Sequence, residues 1–197
     1  MNRLRVLIAC EESQVECKAF RSLGHLAFSC DIKQCSGGHP EWHIQQDVIP
    51  LLDDRWDIII AHPPCTYLSN VSAPLMFPGG VLSITRWEKA LSARQFFLRF
   101  FDAKCKFVAV ENPMPLSILN MPAYSQIIQP YEFGEPWSKR TFLWLKGLPA
   151  LMPTMHLYKH KSWHFYHRSA RIRSRSFEGI AKAMAVQWSD YVTRINT

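Results

Sequence analysis

Short apolar runs alternate with stretches of helical periodicity through the first half of the chain, the pattern of βαβ units around a parallel sheet. LRVLIAC (4–10) predicts a first strand, residues 14–23 a helix stopped by Gly24, and HLAFSCDI (25–32) a second strand. WDIIIA (56–61) and FVAVENP (107–113) are continuous branched apolar runs, as expected of strands buried on both faces. Proline ends each of them, because it has no N–H to give a ladder. Between them RWEKALSARQFFLRFF (86–101) sets Trp87, Ala90, Leu91, Phe97, Leu98 and Phe101 on one side of a helix. RTFLWLKG (140–147) predicts a late strand. Phe177, Ile180, Ala181, Met184, Trp188 and Tyr191 recur at helical spacing, so an amphipathic helix over 177–192 returns to the core. CSGGHP (35–40) reads as a loop, and residues 149–175 keep neither period. The expectation is a single α/β domain over 1–197, a mostly parallel doubly wound sheet, with 149–175 as a small irregular insertion.

Composition sharpens this picture in two places. The chain of 197 residues has a formal charge of +7, and the excess is local. From Trp137 to Phe177 there are nine Lys or Arg and no Asp or Glu, while the remainder is close to neutral. A basic segment of this kind suits a polyanionic partner. Within it, YKHKSWHFYHRSARIRSR (158–175) interleaves Lys159, Lys161, Arg168, Arg171, Arg173 and Arg175 with Tyr158, Trp163, Phe165 and Tyr166. Cations can track phosphates and rings can stack on bases; the alternative is a solvated charge run whose aromatics turn into the core. Six cysteines without a CxxC pair read as free thiols of a reducing compartment. Without an apolar membrane span or a secretory leader pattern, a cytoplasmic location is expected. Cys30, Cys35, His39 and His43 are spaced like a loose metal knot, but without the tight cysteine pairs of structural zinc sites, so no metal is expected.

Chemistry-bearing residues gather where strands end. Cys10 and Glu11 follow the first strand, Asp31 the second, His62 to Asn70 the next, and Glu111, Asn112 and Pro113 a fourth. A twisted parallel sheet brings such ends to one crevice, although each residue alone could simply cap a following helix. In DIIIAHPPCTYLSN (57–70), Pro63 and Pro64 restrict the loop in which Cys65 sits. Cys65 is then either a reactive thiol at a strand's carboxyl end or a small buried filler.

PPCTYLS (63–69) resembles the Pro-Cys-x-x-(Phe/Leu)-Ser motif of DNA cytosine C5 methyltransferases, and VENP (110–113) resembles their Glu-Asn motif. SKRTFLWLKG is similar to their basic strand motif, 149–175 stands where their target-recognition region stands, and FEGIAKAMAVQW resembles their last helix. More closely, the chain resembles a short, phage-type group labelled DNA cytosine methyltransferase-like. The resemblance implies a Rossmann-like methyltransferase fold, S-adenosylmethionine as cofactor and DNA as partner, in the host cytoplasm if the chain is phage-encoded. It casts Cys65 as nucleophile at C6 of cytosine, Glu111 as acid at N3, Asn112 as its support, and Lys139 and Arg140 as holders of the base or its phosphate. The cofactor crevice is expected from Cys10, Glu11 and Ser13 in the first loop, Asp31 and Ile32 after the second strand, Asp47, and Pro64. The first loop, ACEESQVEC, departs from the family by carrying Glu11, Glu12 and Ser13 where a glycine-rich turn should stand. A rival reading is therefore a catalytically silent nucleic-acid-binding or interaction protein that counters a host enzyme. A third takes HPPCTY as a relative of the Asn/Asp-Pro-Pro-Tyr motif of amino-methylating enzymes.

Overall fold

The computed structural model describes residues 3–167, 169, 172 and 174–195. Strand β1 (Arg5–Ala9) leads into helix α1 (Val15–Ser22), followed by β2 (Leu26–Asp31), β3 (His43–Gln45) and β4 (Ile58–Ala61). Helix α2 (Ile84–Asp102) precedes β5 (Val108–Asn112), then come β6 (Gln126–Ile128) and β7 (Thr141–Lys146), and helix α3 (Glu178–Ile195) follows. The seven strands form one sheet in the order β3-β2-β1-β4-β5-β7-β6. β1 to β5 are parallel, while β7 runs antiparallel to both β5 and β6. This is the mostly parallel α/β sheet that the sequence pattern predicts.

The branched runs form the sheet's centre because each strand must present apolar side chains to both faces. Val6, Ile8, Ile58, Ile60 and Ala109 face one core together with Phe20 of α1 and Ile180, Met184 and Trp188 of α3. Leu7, Ile59, Val108 and Val110 face the other, against Ala90, Phe97 and Phe100 of α2. Two large rings combine burial with a satisfied polar atom: Trp188 Nε1 donates to the Pro149 carbonyl (3.1 Å) and Trp144 Nε1 to that of Pro122 (2.8 Å). On α2 the inward face is narrower than the periodicity suggests, and Leu91 lies at the surface.

β3 and β6, each three residues long and flanked by polar residues, carry too little apolar pattern to be read from the sequence. Residues 35–43 supply β3's approach. Cys30 Sγ donates to the Gln46 carbonyl, His39 stacks on Trp42 at 3.7 Å, and His43 joins Ser29 Oγ to the Lys33 carbonyl. All six cysteines are free. In the 149–175 segment, Lys161–Ser162 pairs with Trp137–Ser138 as a two-stranded ribbon, and one helical turn follows over Trp163–Tyr166. Among the described residues no helix is long and apolar enough to cross a membrane.

Helix α3 starts against the turn at Phe133, and the contact needs a residue without a side chain. A Cβ at Gly179 would collide with the Phe133 carbonyl oxygen. Gly179→Ala is therefore expected to destabilise the protein by about 1–3 kcal/mol, the usual cost of overpacking, as a lower denaturant midpoint with unchanged m-value.

Candidate active site

The loops that leave β4 and β5 are fastened to each other at the sheet's carboxyl edge. The Asn112 side-chain amide donates to the Pro63 carbonyl at 2.9 Å. Beyond it, Leu116 N–H donates to the Leu68 carbonyl (2.7 Å) and Asn70 N–H to that of Met114 (2.8 Å). Cys65 heads a tight turn whose carbonyl accepts from Leu68 and Ser69 N–H groups (3.0 and 2.9 Å). The thiol is part-buried as a result. Asn112 thus fixes the loop that carries Cys65, rather than the neighbouring Glu111 carboxyl.

Behind Cys65 lies a charged row that runs through the core edge. His62, one residue past β4, has Nδ1 3.4 Å from Glu111 Oε2 on β5 and Nε2 3.3 Å from Glu16 Oε1 on α1. Glu16 is wholly buried, beside Cys17 and Phe20 on the inward face of α1. Burial opposes the charge on His62, but the two carboxylates outweigh it and hold the imidazole well above its ordinary pKa. Burial likewise opposes Glu16, yet His62 brings it down to about 2. For Glu111, burial is outweighed by the His62 hydrogen bond and the Lys139 charge, which lower its pKa. The row therefore reads Glu16⁻, His62⁺, Glu111⁻, Lys139⁺.

Glu11 is the exception. Its Oε1 accepts the Glu16 N–H (3.1 Å), and burial together with the Glu16 charge raises its pKa well above the carboxylate range. Burial and the neighbouring Glu16 charge thus favour its protonated form. A cavity of about 20 Å³, room for roughly one water, opens beside this row and is closed by Ser176, Phe177, Ile180 and Met184.

Cys65 is held as a thiol in this state. Burial and the Glu111 carboxylate raise its pKa, and Lys139 pulls against them. Lys139 is placed by its own N–H, which donates to Gln129 Oε1 (3.0 Å), with its ammonium 5.7 Å from the Phe177 ring centroid. Arg140 is exposed and is not among the residues around the cavity.

A second cluster occupies the carboxyl ends of β1 to β3. Cys10 and Gln14 bracket the first loop with left-handed backbones (φ 59° and 61°), which non-glycine residues seldom adopt. Gln14 is anchored there by donating to Ser29 Oγ and the His39 carbonyl while accepting the His39 N–H. Ser13 and Gln14 press on Gly37 so closely that no side chain fits at that position. Burial, then the charges of Asp31, Cys30 and Asp47, drives the Cys10 thiol far upward, so these groups lie together. Asp31 Oδ1 accepts the Lys33 N–H (2.9 Å) and Asp47 Oδ1 the Ile49 N–H (3.0 Å). Ile32 between them is 73% exposed, and Pro64 is exposed as well.

On the basic segment, Lys159, Lys161 and Arg175 are exposed, and Lys161 lies 5.0 Å over the Tyr166 ring. Trp163 packs inward against Trp137 (5.1 Å) and Phe177 (4.8 Å), while Tyr158, Phe165 and Tyr166 remain at the surface. Arg168, Arg171 and Arg173 lie outside the described residues. Sequence reasoning missed Glu16 as a site residue and, though it placed His62 at the crevice edge, gave it no role. A carboxylate sharing an inward helix face with Cys17 and Phe20 was the available signal for Glu16.

No protein-family model and no curated protein matches the chain. Among solved structures it is similar to the Dnmt2 methyltransferase of S. pombe (13% identity, TM-score 0.42), covering 86% of this chain and 57% of that one. It is also similar to the methyltransferase EhMeth of Entamoeba histolytica (14%, TM-score 0.44, 82% and 58%). A third is a triple mutant of the Spodoptera frugiperda DNMT2 (13%, TM-score 0.42, 81% and 54%). The chain spans little more than half the length of these proteins.

Two outcomes follow from the charges. The contributions of Glu16 and Glu111, whose pKa values are depressed, are present above about pH 4.3 and are lost as pH falls. Those of His62 and Glu11, whose values are raised, are complete below their unfolded pKa values, about 6.5 and 4.3, and are lost as pH rises through the folded ones. Stability measured by urea unfolding should thus fall from pH 6 to pH 9. Glu11→Gln, which needs no proton to stay neutral, should flatten that slope; equal slopes would count against the protonated Glu11. Removing the centre of the row by His62→Ala should cost about 3–5 kcal/mol, because two buried carboxylates lose their partner.

The second outcome concerns the Cys65 thiol. Its alkylation by iodoacetamide at pH 8, read residue by residue by mass spectrometry, should quicken in Glu111→Gln and slow in Lys139→Met. Indifference to both substitutions would separate Cys65 electrostatically from Glu111.

Proposed function

We propose that this protein is an S-adenosylmethionine-dependent cytosine C5 methyltransferase acting on DNA, with Cys65 as nucleophile and Glu111 as the group that engages N3. One observation carries this reading: a part-buried thiol and a carboxyl stand at the adjacent ends of two parallel strands, with Lys139 acting electrostatically on both. Crevices at the carboxyl ends of such strands are where open α/β sheets bind ligands.

The residues at the ends of β1 to β3 suit an adenosyl group. Asp31 and Asp47 each use one carboxylate oxygen on a local N–H and keep the other for a ribose hydroxyl or an amino group. The exposed Ile32 offers an apolar surface to a purine face. Cys10, Glu11 and Ser13 form the loop beside them, with Pro64 at its edge. When bound, S-adenosylmethionine supplies an electrophilic methyl group.

The chain's own part is to make C5 of cytosine nucleophilic. Cys65 gives its proton to water, and its sulfur bonds to C6, displacing the C5–C6 electron pair toward C5 as N3 takes up a proton. Glu111 is ionised in the free protein and needs a proton to act as the acid at N3. His62, 3.4 Å away, carries one and is the positioned source. Lys139 stabilises the thiolate that is consumed and later released, when C5 gives up its proton to water, N3 returns its proton to Glu111 and the S–C6 electron pair goes back to sulfur. Arg140 and the exposed Lys159, Lys161 and Arg175 supply phosphate contacts, together with Arg168, Arg171 and Arg173.

An oligonucleotide carrying 5-fluorocytosine tests the scheme, because fluorine cannot leave C5 as a proton and the covalent adduct persists. With S-adenosylmethionine it should yield a denaturation-resistant complex that Cys65→Ser abolishes and His62→Gln slows, most strongly at high pH. S-adenosylhomocysteine should bind in calorimetry, and Asp31→Ala should weaken it by about 1.5–3 kcal/mol, the scale of a hydrogen bond to a charged group. Absence of both the adduct and the heat would favour the silent nucleic-acid-binding reading.

A further inference from the structure

The sheet's amino edge carries a second concavity, away from Cys65. It is a groove of about 340 Å³ bounded by Arg3 ahead of β1, Lys18 and Arg21 of α1, His25 ahead of β2, and His39 and Trp42 ahead of β3. Three of these six residues, Arg3, Lys18 and Arg21, are cationic at neutral pH. Arg21 is held rather than free: its Nε donates to the Ala27 carbonyl (2.7 Å), and its guanidinium lies 4.5 Å over Trp42 and 5.1 Å over Phe28. Lys18 uses one of its three donors on the Gly37 carbonyl (3.3 Å).

His25 gives the groove its chemical sense. The residue is 3% exposed. The Leu4 N–H donates to its Nδ1 at 3.3 Å, so that nitrogen bears no proton and Nε2 carries the ring's hydrogen. Nε2 is buried and has no hydrogen-bond partner. A buried donor without an acceptor costs stability unless a ligand completes it. The acceptor must come from outside, and the surrounding cations select for an anionic one. The nearest carboxylates are already engaged: Glu41 pairs with His39 (3.1 Å), and Asp57 accepts the Arg5 N–H (2.7 Å).

We propose that this groove is a phosphate-binding site, in which His25 Nε2, Arg21, Lys18 and Arg3 donate to the oxygens of one phosphate group. Both faces of its aromatic wall are in use, one ring stacked by His39 and covered by Arg21, so the group recognised is the phosphate rather than a base. A phosphomonoester and a nucleic-acid backbone present the same oxygens. The site is independent of the catalytic reading and stands whether or not Cys65 is a nucleophile.

Three probes and one folded variant decide it. Arg3 and Lys18 are exposed, so Arg3→Gln/Lys18→Gln should fold normally, as circular dichroism would verify. In the wild type, the His25 Nε2–H signal in a long-range ¹H–¹⁵N histidine spectrum should shift saturably with inorganic phosphate and not with chloride at equal ionic strength. The double variant should weaken that binding at least tenfold. If the natural source is a free phosphomonoester, adenosine monophosphate will bind more tightly than a 12-nucleotide strand. If it is a backbone, the strand will bind more tightly, and the double variant will lower its log–log salt slope by about two. An unmoved His25 signal at 50 mM phosphate, or identical titrations of wild type and double variant with all three probes, would overturn the proposal.

Discussion

A single imidazolium joins three elements of this fold. His62 leaves β4 between a carboxylate of α1 and a carboxylate of β5, and none of the three could be buried alone. The Born cost of an isolated charge in the interior far exceeds the stability of a domain, so each group is tolerable only because the next one answers it. The consequence is positional. Helix α1 cannot rotate or slide without exposing Glu16 to an unpaired state, and β5 cannot change register against β4 without separating Glu111 from His62. The charged row therefore sets the geometry of the crevice as firmly as the apolar strands do.

The same row governs the reactivity of Cys65. Burial first, and then the Glu111 carboxylate, keep the thiol protonated while Lys139 opposes them, so neutralising Glu111 leaves burial alone against Lys139. A ligand that accepts a hydrogen bond from a protonated Glu111 removes the nearest negative charge from the sulfur. Ligand binding at Glu111 and the state of the Cys65 thiol are thereby coupled through one carboxyl group, and with Glu111 ionised the sulfur is protected from alkylation and oxidation.

The central strands were legible because apolar runs such as IIIA and VAVEN admit few alternatives, and the predicted strands and helices lie within about three residues of their observed bounds. β3 and β6 were not, since three residues beside polar neighbours give no period to count. The Cys65 loop and Glu111 could be read because proline and asparagine mark strand ends. Glu16 and His62 could not be read as partners, because their meeting depends on the β1–β4 register and the tilt of α1, which no local pattern encodes. Trp163 illustrates the opposite error. Among cations it looks like a stacking platform, yet the ribbon at Trp137–Ser138 turns it toward Phe177, where burial of a large ring outweighs exposure beside lysines.

Helix α3 follows every strand of the sheet in sequence yet closes the cavity beside the first helix, with Ile180 and Met184 set against Glu16 and His62. During synthesis the amino-terminal half of the sheet emerges from the ribosome well before its cover. Until α3 docks, the side of Glu16, His62 and Glu111 that Ile180 and Met184 cover faces water. The pairing of the three groups belongs to the first five strands and α1, whereas their seclusion from solvent belongs to α3.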